Sequence, residues 1–224
     1  MKKKVKDTLA LRNELYTRYP ILLSTSDAID KAYSIILKTY SSGGKLLVAG
    51  NGGSAADSEH IVGELMKSFL FHRRIDTTVE SNLRTMFGEK GKEIAEKLEG
   101  ALPTISLTTM PALNTAFAND VDASVVFAQM LYGYGAENDA FLGISTSGNS
   151  SNIIQALMVA KAKGIKTIGL SGSTGGVMKQ LCDVCICVPE DETFKIQELH
   201  LPIYHCLCSM LEAQIFEERI NRVI

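Results

Sequence analysis

The groups best suited to chemistry in this 224-residue chain are concentrated in a few short stretches. The densest is Ile144-Ser145-Thr146-Ser147-Gly148-Asn149-Ser150-Ser151-Asn152, which follows an apolar run and precedes a helical pattern. A phosphate needs several donors converging on one point. This stretch offers four serine hydroxyls, one threonine hydroxyl and the free N–H groups of a helix start. The helix terminus alone contributes about 0.3–1 kcal/mol, and about 2 kcal/mol when partly buried. Even millimolar binding requires about 4 kcal/mol, so the hydroxyls must supply much of it. A helix cap at Ser150 or Asn152 accounts for one such residue, whereas five hydroxyls in seven positions exceed what a cap needs. The loop reads as a phosphate cradle.

Gly50-Asn51-Gly52-Gly53-Ser54 is a second tight turn between a strand-like run and a helical one. It matches neither G-x-G-x-x-G nor a P-loop, which requires a Lys-Ser/Thr pair, so alone it signals only a close backbone approach. The helical pattern after it carries His60 and Glu64 at i, i+4, on one face. Near the C-terminus, Gln197, Glu198, His200 and His205 share another helical pattern. At 3.6 residues per turn, Gln197 and His205 differ by about 80° and Glu198 and His205 by about 20°. Spacing does not choose between these pairings. For His60 with Glu64, taken alone, a helix-surface hydrogen bond or ion pair is the favoured reading. A satisfied core histidine accounts equally for His205, inside Leu201-Pro202-Ile203-Tyr204-His205-Cys206-Leu207.

Composition narrows the class of protein. A net charge of −2 gives no basic field for nucleic acid or an anionic membrane surface, so neither partner is expected. No run approaches the 18 apolar residues of a membrane span, and Val5-Lys6-Asp7-Thr8-Leu9 after the lysine-rich start is amphipathic, not a signal-peptide core. Cys182 and Cys185 form a C-x-x-C, but no second such pair completes a metal site. The five cysteines read as free, mostly buried thiols of a reducing cytoplasm.

The elements that must position these residues follow from the hydrophobic period. Val5, Leu9, Leu11, Leu15 and Tyr16 recur at helical spacing, and a second helix follows a natural cap at Ser24-Thr25-Ser26-Asp27. From residue 43 the period changes. Five short apolar runs stand out: Lys45-Leu46-Leu47-Val48-Ala49, Thr104-Ile105-Ser106-Leu107-Thr108, Ala140-Phe141-Leu142-Gly143-Ile144, Lys166-Thr167-Ile168-Gly169-Leu170 and Val184-Cys185-Ile186-Cys187-Val188. Helical patterns separate several of them, notably 152–163 and 177–181, and a long helix over 194–219 closes the chain. Continuous apolar strands alternating with helices imply an α/β fold, a parallel sheet covered on both faces. Ligands of such sheets bind beyond the carboxyl ends of the strands, where both candidate loops lie. Residues 1–42 read as N-terminal helices and 43–224 as the α/β domain. A polar excursion at 73–100, with one helix over 92–98, reads as a mobile insertion over the sheet edge.

Three motifs in order, Gly50-Asn51-Gly52-Gly53-Ser54, Ser145-Thr146-Ser147-Gly148-Asn149-Ser150 and Ile196-Gln197-Glu198-Leu199-His200 with His205, resemble the SIS (sugar isomerase) domain. Within it they are most similar to the sedoheptulose 7-phosphate isomerase (phosphoheptose isomerase) branch. The resemblance implies a doubly wound, flavodoxin-like domain forming a homotetramer with sites at subunit interfaces. It implies conversion of sedoheptulose 7-phosphate to a glycero-manno-heptose 7-phosphate, an early step towards nucleotide-activated heptose. By position, Ser145, Thr146, Ser147 and Ser150 would bind phosphate. Asn51, Gly52, Gly53, Ser54, Asn119, Asp120 and Gln197 would contact the sugar. Glu64 would be the general base and His205 the general acid, and zinc would be held by His60, Glu64, Gln197 and His205.

Two positions depart from the family: Ser68 stands where it has an arginine, and Phe194 where it has an acidic residue. Lys67, Arg73, Asp191 and Glu192 are candidates to take over these roles. The excursion at 73–100 is longer than the family resemblance implies. Two other functions remain open: a non-enzymatic SIS protein that binds the replication initiator, and an isomerase or sensor for a different sugar phosphate. Glu64 and His205 favour an enzyme, because the initiator-binding relatives lack their counterparts.

Overall fold

The computed structural model describes residues 7–221. Val5 and the lysine-rich start, read above as part of the first helix and as no signal, lie outside them. The five apolar runs form parallel strands: β1 (Leu46–Ala49), β2 (Thr104–Ser106), β3 (Ala140–Ile144), β4 (Lys166–Ser171) and β5 (Val184–Cys187). Their spatial order is β2-β1-β3-β4-β5, the doubly wound, flavodoxin-like arrangement. The helices are α1 (Thr8–Arg18), α2 (Ser26–Ser41), α3 (Gly53–Met66), α4 (Thr77–Lys97), α5 (Pro111–Phe117), α6 (Val126–Tyr134), α7 (Ser151–Ala162), α8 (Met178–Leu181) and α9 (Thr193–Asn221). No described helix is long and apolar enough to cross a membrane.

Alternation along each strand divides the interior in two. Leu46 and Val48 enter one core with Ile29 and Ile36 of α2, Ile61 and Leu65 of α3, and Ile203 and Leu207 of α9. Leu47 and Ala49 enter the other with Met130 and Leu131 of α6 and Ile153 and Leu157 of α7. Strands buried on both faces need no polar side, which is why they are legible as unbroken apolar runs. Leu11 and Leu15 of α1 belong to the first core, so the N-terminal helices cover one face of the sheet.

β1 and β3 pair directly, with Leu47 opposite Phe141, yet the chain leaves β1 for the layer of α3 and β3 for the layer of α7. Their two loops therefore part between adjacent strands and open a crevice at the carboxyl edge. Both candidate loops flank it.

The structure differs from the sequence expectations in three places. The excursion holds more than one short helix over 92–98: α4 runs for 21 residues and breaks at Gly88, whose φ of 56° and ψ of −135° are non-helical. Asp76 caps it through the N–H groups of Thr78 and Val79, and Glu80 pairs with Arg84 one turn on. Its charged residues are good helix formers, so polarity here marks an exposed helix. Both roots are fixed, since Arg73 is buried and the Gly100 N–H bonds to the Arg73 carbonyl at 3.1 Å. Second, the expected cap of α2 is not made: Thr25 Oγ1 turns back to the Leu22 carbonyl at 2.7 Å, inside a 3-10 turn (Pro20–Thr25) that runs straight into the helix. Third, α5, a π turn (Ala118–Asp122), a 3-10 turn (Ala123–Val125) and α6 occupy a stretch for which the patterns singled out no helix.

Candidate active site

The β1 loop reaches α3 through Gly52, whose φ of 56° suits glycine. A Cβ on Gly53 would stand 2.6 Å from Gln197 Nε2, so the missing side chain lets the amide of α9 lie on the start of α3. Asn51 exchanges two amide hydrogen bonds with Asn152 at the start of α7, both 2.9 Å long. This pair ties the glycine loop to the serine loop across the crevice.

In the serine loop, Ser145 is buried and its hydroxyl meets that of Ser150 at 2.9 Å. Ser150 precedes α7 but makes no side-chain cap, and the Asn152 amide is engaged with Asn51. Neither cap alternative is realised, which leaves the hydroxyls free of that explanation. Gly148 has φ of +66°, and a Cβ there would meet the Gly175 carbonyl oxygen at 2.1 Å. The Gly172 N–H donates to Thr146 O and the Met178 N–H to Gly148 O, so the loop after β4 holds the cradle in shape. Ser147 is exposed and Thr146 partly so.

Two turns along α3, Asp57, His60 and Glu64 share the face that packs on α9. His60 Nε2 lies 3.2 Å from Glu64 Oε1 and 3.3 Å from His205 Nε2. One ligand atom from each of the three residues falls within 4.8 Å of the others. Of the pairings that spacing left open, the fold favours Gln197 with His205, since the Gln197 amide lies on the start of α3 and His205 on His60. Glu198 is exposed and His200 is fully buried, with its pKa pushed down to about 4 by burial. Burial first, and then the neighbouring His60, also lower the pKa of His205.

Two imidazole lone pairs and a carboxylate oxygen repel one another at these distances unless a cation or a shared proton lies between them. Glu64 Oε2 is buried without a hydrogen bond, facing only the Lys67 ammonium at 3.5 Å. Two imidazole nitrogens and a carboxylate oxygen gathered in this way suit a divalent metal such as zinc. His60, Glu64 and His205 are thus a possible metal site.

Asn119 and Asp120 bond to each other at 2.9 Å on the exposed π turn. The candidates for the departing family positions fall elsewhere. Arg73 cannot replace the missing family arginine. Its side chain is fully buried on Glu212 at 2.6 Å, and it donates to the carbonyls of Leu65 and Glu64. Asp191 takes the Ser173 hydroxyl, and Glu192 pairs with Lys195. Two residues went unnoticed in the sequence. Tyr204 lies inside an apolar run and Asp57 one turn before His60, yet the Tyr204 hydroxyl contacts both Asp57 Oδ1 at 3.2 Å and His60 Nδ1 at 3.1 Å. A carboxylate at i−3 from a candidate ligand was the available signal.

The signature of the SIS domain matches residues 20–100 and 80–172. A phosphoheptose isomerase from Aneurinibacillus thermoaerophilus is 42% identical over 195 residues, covering 87% of this chain and 85% of the relative. Among solved structures, a phosphoheptose isomerase from Francisella tularensis superposes with a TM-score of 0.67 at 29% identity, covering 92% of each chain. Another from Neisseria gonorrhoeae gives 0.65 at 27% identity, covering 90% of this chain and 99% of the other. By its motifs, its strand order and these likenesses, the chain belongs to the SIS-domain family, among the phosphoheptose isomerases.

Proposed function

We propose that this chain is an aldose–ketose isomerase that converts sedoheptulose 7-phosphate to glycero-manno-heptose 7-phosphate through an enediol. The observation that carries the reading is the meeting of Glu64, His60 and His205 on α3 and α9, with the hydroxyl-rich loop before α7 tied to the start of α3 through Asn152 and Asn51. His60 lies seven residues from Gly53, about 10 Å of helix rise, so the cluster and the loops are separated along α3. A sugar held by its phosphate at one end has its carbonyl at the other.

In this reading Ser145, Thr146, Ser147 and Ser150 bind the phosphate, while Asn51, Gly52, Gly53, Ser54, Asn119, Asp120 and Gln197 contact the sugar. Glu64 takes the C-1 proton and returns it to C-2, and His205 moves the hydroxyl protons. A placed acid or base contributes about 10²–10⁴-fold. Zinc, one per site, would be held by His60, Glu64, Gln197 and His205, and it would supply Lewis-acid polarisation of the carbonyl. Glu64 Oε1 faces the two histidines while Oε2 lacks a hydrogen bond, so one carboxylate has an oxygen for each task.

A homotetramer with sites at subunit interfaces belongs to the same reading. It is supported by a groove of about 470 Å³ between α1, α9 and residues 69–71, where half-exposed Leu70 and Leu201 stand beside His205. The five free cysteines suit a cytoplasmic protein. The product would feed nucleotide-activated heptose synthesis.

The test is an isomerisation assay across several ketose and aldose phosphates, with elemental analysis of metal per chain. Turnover of sedoheptulose 7-phosphate with about one zinc per chain is expected. Turnover of a different sugar alone would reassign the substrate. No turnover, with tight binding of a replication initiator, would select the non-enzymatic alternative. Full turnover by metal-free protein would remove zinc from the mechanism.

A further inference from the structure

We infer that Tyr204 is a positioning residue whose phenol, anchored on Asp57, holds His60 as the Nδ1–H tautomer with a bare Nε2 aimed at Glu64 and His205. This rests on the metal reading above, and it concerns how the ligand is prepared. The Tyr204 hydroxyl stands 3.2 Å from Asp57 Oδ1 and 3.1 Å from His60 Nδ1. A phenol has one proton and an ionised carboxylate has none, so the phenol proton goes to Asp57 and the phenol oxygen accepts from His60. Nδ1 must then carry the imidazole hydrogen. Nε2, which lies 3.2 Å from Glu64 Oε1 and 3.3 Å from His205 Nε2, keeps its lone pair.

The opposite tautomer is disfavoured twice. It would aim an N–H into the space the three ligand atoms share. It would also turn the phenol proton away from Asp57, a half-buried carboxylate whose Oδ2 already lacks a hydrogen bond, and so leave both its oxygens without one. Packing fixes the geometry as well as the proton. Tyr204 is 2% exposed, and its ring meets His60 edge-on at 5.4 Å and His205 at 5.0 Å, with interplanar angles of 71° and 84°. One side chain from α9 thus orients a histidine on α3 and steadies the histidine beside it. Hydrogen-bonded partners of this kind set ligand tautomer, orientation and basicity, and their loss weakens metal binding about 10–100-fold.

The experiment compares wild type with Tyr204→Phe, which deletes one oxygen and keeps the ring. Zinc affinity is measured by competition with a chromophoric chelator, and kcat and KM with sedoheptulose 7-phosphate in saturating zinc. The expected result is zinc binding about 10–100-fold weaker, KM unchanged, and kcat restored as zinc saturates. A variant that binds zinc as tightly as wild type overturns the inference, even if it melts at a lower temperature, because packing alone moves stability and not affinity. Glu64→Gln and His205→Ala separate this failure from that of the metal reading. If they lose zinc while Tyr204→Phe keeps it, the role of Tyr204 alone falls; if wild type takes up no zinc, both fall together.

Discussion

Replacing Glu212 with leucine removes the carboxylate that faces the Arg73 guanidinium at 2.6 Å, where both side chains are 0% exposed. A desolvated guanidinium left unpaired costs about 3–5 kcal/mol, against a total stability of about 5–15 kcal/mol for a typical domain. Arg73→Met strands the carboxylate instead, at a similar cost. If the two losses were independent, the double variant would lose about 6–10 kcal/mol. The structure says otherwise, because no charge remains in Arg73→Met/Glu212→Leu. What remains is the backbone that the pair served: the N–H groups of Phe69 and Leu70 at 2.8 and 2.7 Å, and the carbonyls of Leu65 and Glu64 at 2.7 and 2.8 Å. Leu65 O keeps the Leu102 N–H, and Leu70 is half exposed, so water can reach it. Phe69 N–H and Glu64 O are stranded at about 1–3 kcal/mol each, so the double variant loses about 2–6 kcal/mol. Urea unfolding followed by circular dichroism, at one protein concentration, measures all three. Additive losses in the double variant would refute a charge pair acting as a unit. Glu212 lies two helical turns after His205, and Arg73 holds the carbonyl of Glu64, so the double variant is also expected to lower kcat while folded.

Gly148→Ala puts a Cβ 2.1 Å from the Gly175 backbone oxygen at a φ of +66°, so KM for the sugar phosphate should rise about tenfold or more; an unchanged KM would remove the loop from phosphate binding. Gly53→Ala meets only the mobile end of Gln197, so the melting temperature should hardly move while turnover falls; a large stability loss with normal turnover would contradict this. His200 has a folded pKa of about 4, below the ordinary 6.5, so the unfolded chain binds a proton first as pH falls through 6.5. Stability should therefore drop by about 2 kcal/mol between pH 7 and pH 5 on this account, and His200→Met should flatten that slope in urea titrations; an unaltered slope would contradict it.

The sheet was legible because strands covered on both faces are written as unbroken apolar runs, and all five runs became strands. The place of the serine loop, between β3 and α7, was legible because an apolar run ends and a helical period begins there. The partner of His60 was not, because Gln197, Glu198, His200 and His205 lie on one helix and only the α3–α9 packing decides which of them turns inward. Arg73 with Glu212, and Asn51 with Asn152, join residues 139 and 101 positions apart, which no local period encodes. Tyr204 was hidden by its own apolarity, since a ring in an apolar run reads as core until its hydroxyl is placed. The stretch around α4 misled for the opposite reason: its many charges masked Val79, Met86 and Phe87, which recur at helical spacing and stay largely exposed.

In the proposed mechanism Glu64 and His205 transfer the protons of the isomerisation. The measurement that bears on it is turnover of sedoheptulose 7-phosphate by wild type, Glu64→Gln and His205→Ala. Activity is expected in wild type and a loss of about 10²–10⁴-fold in each variant, with circular dichroism unchanged. Wild-type turnover in either folded variant would contradict it.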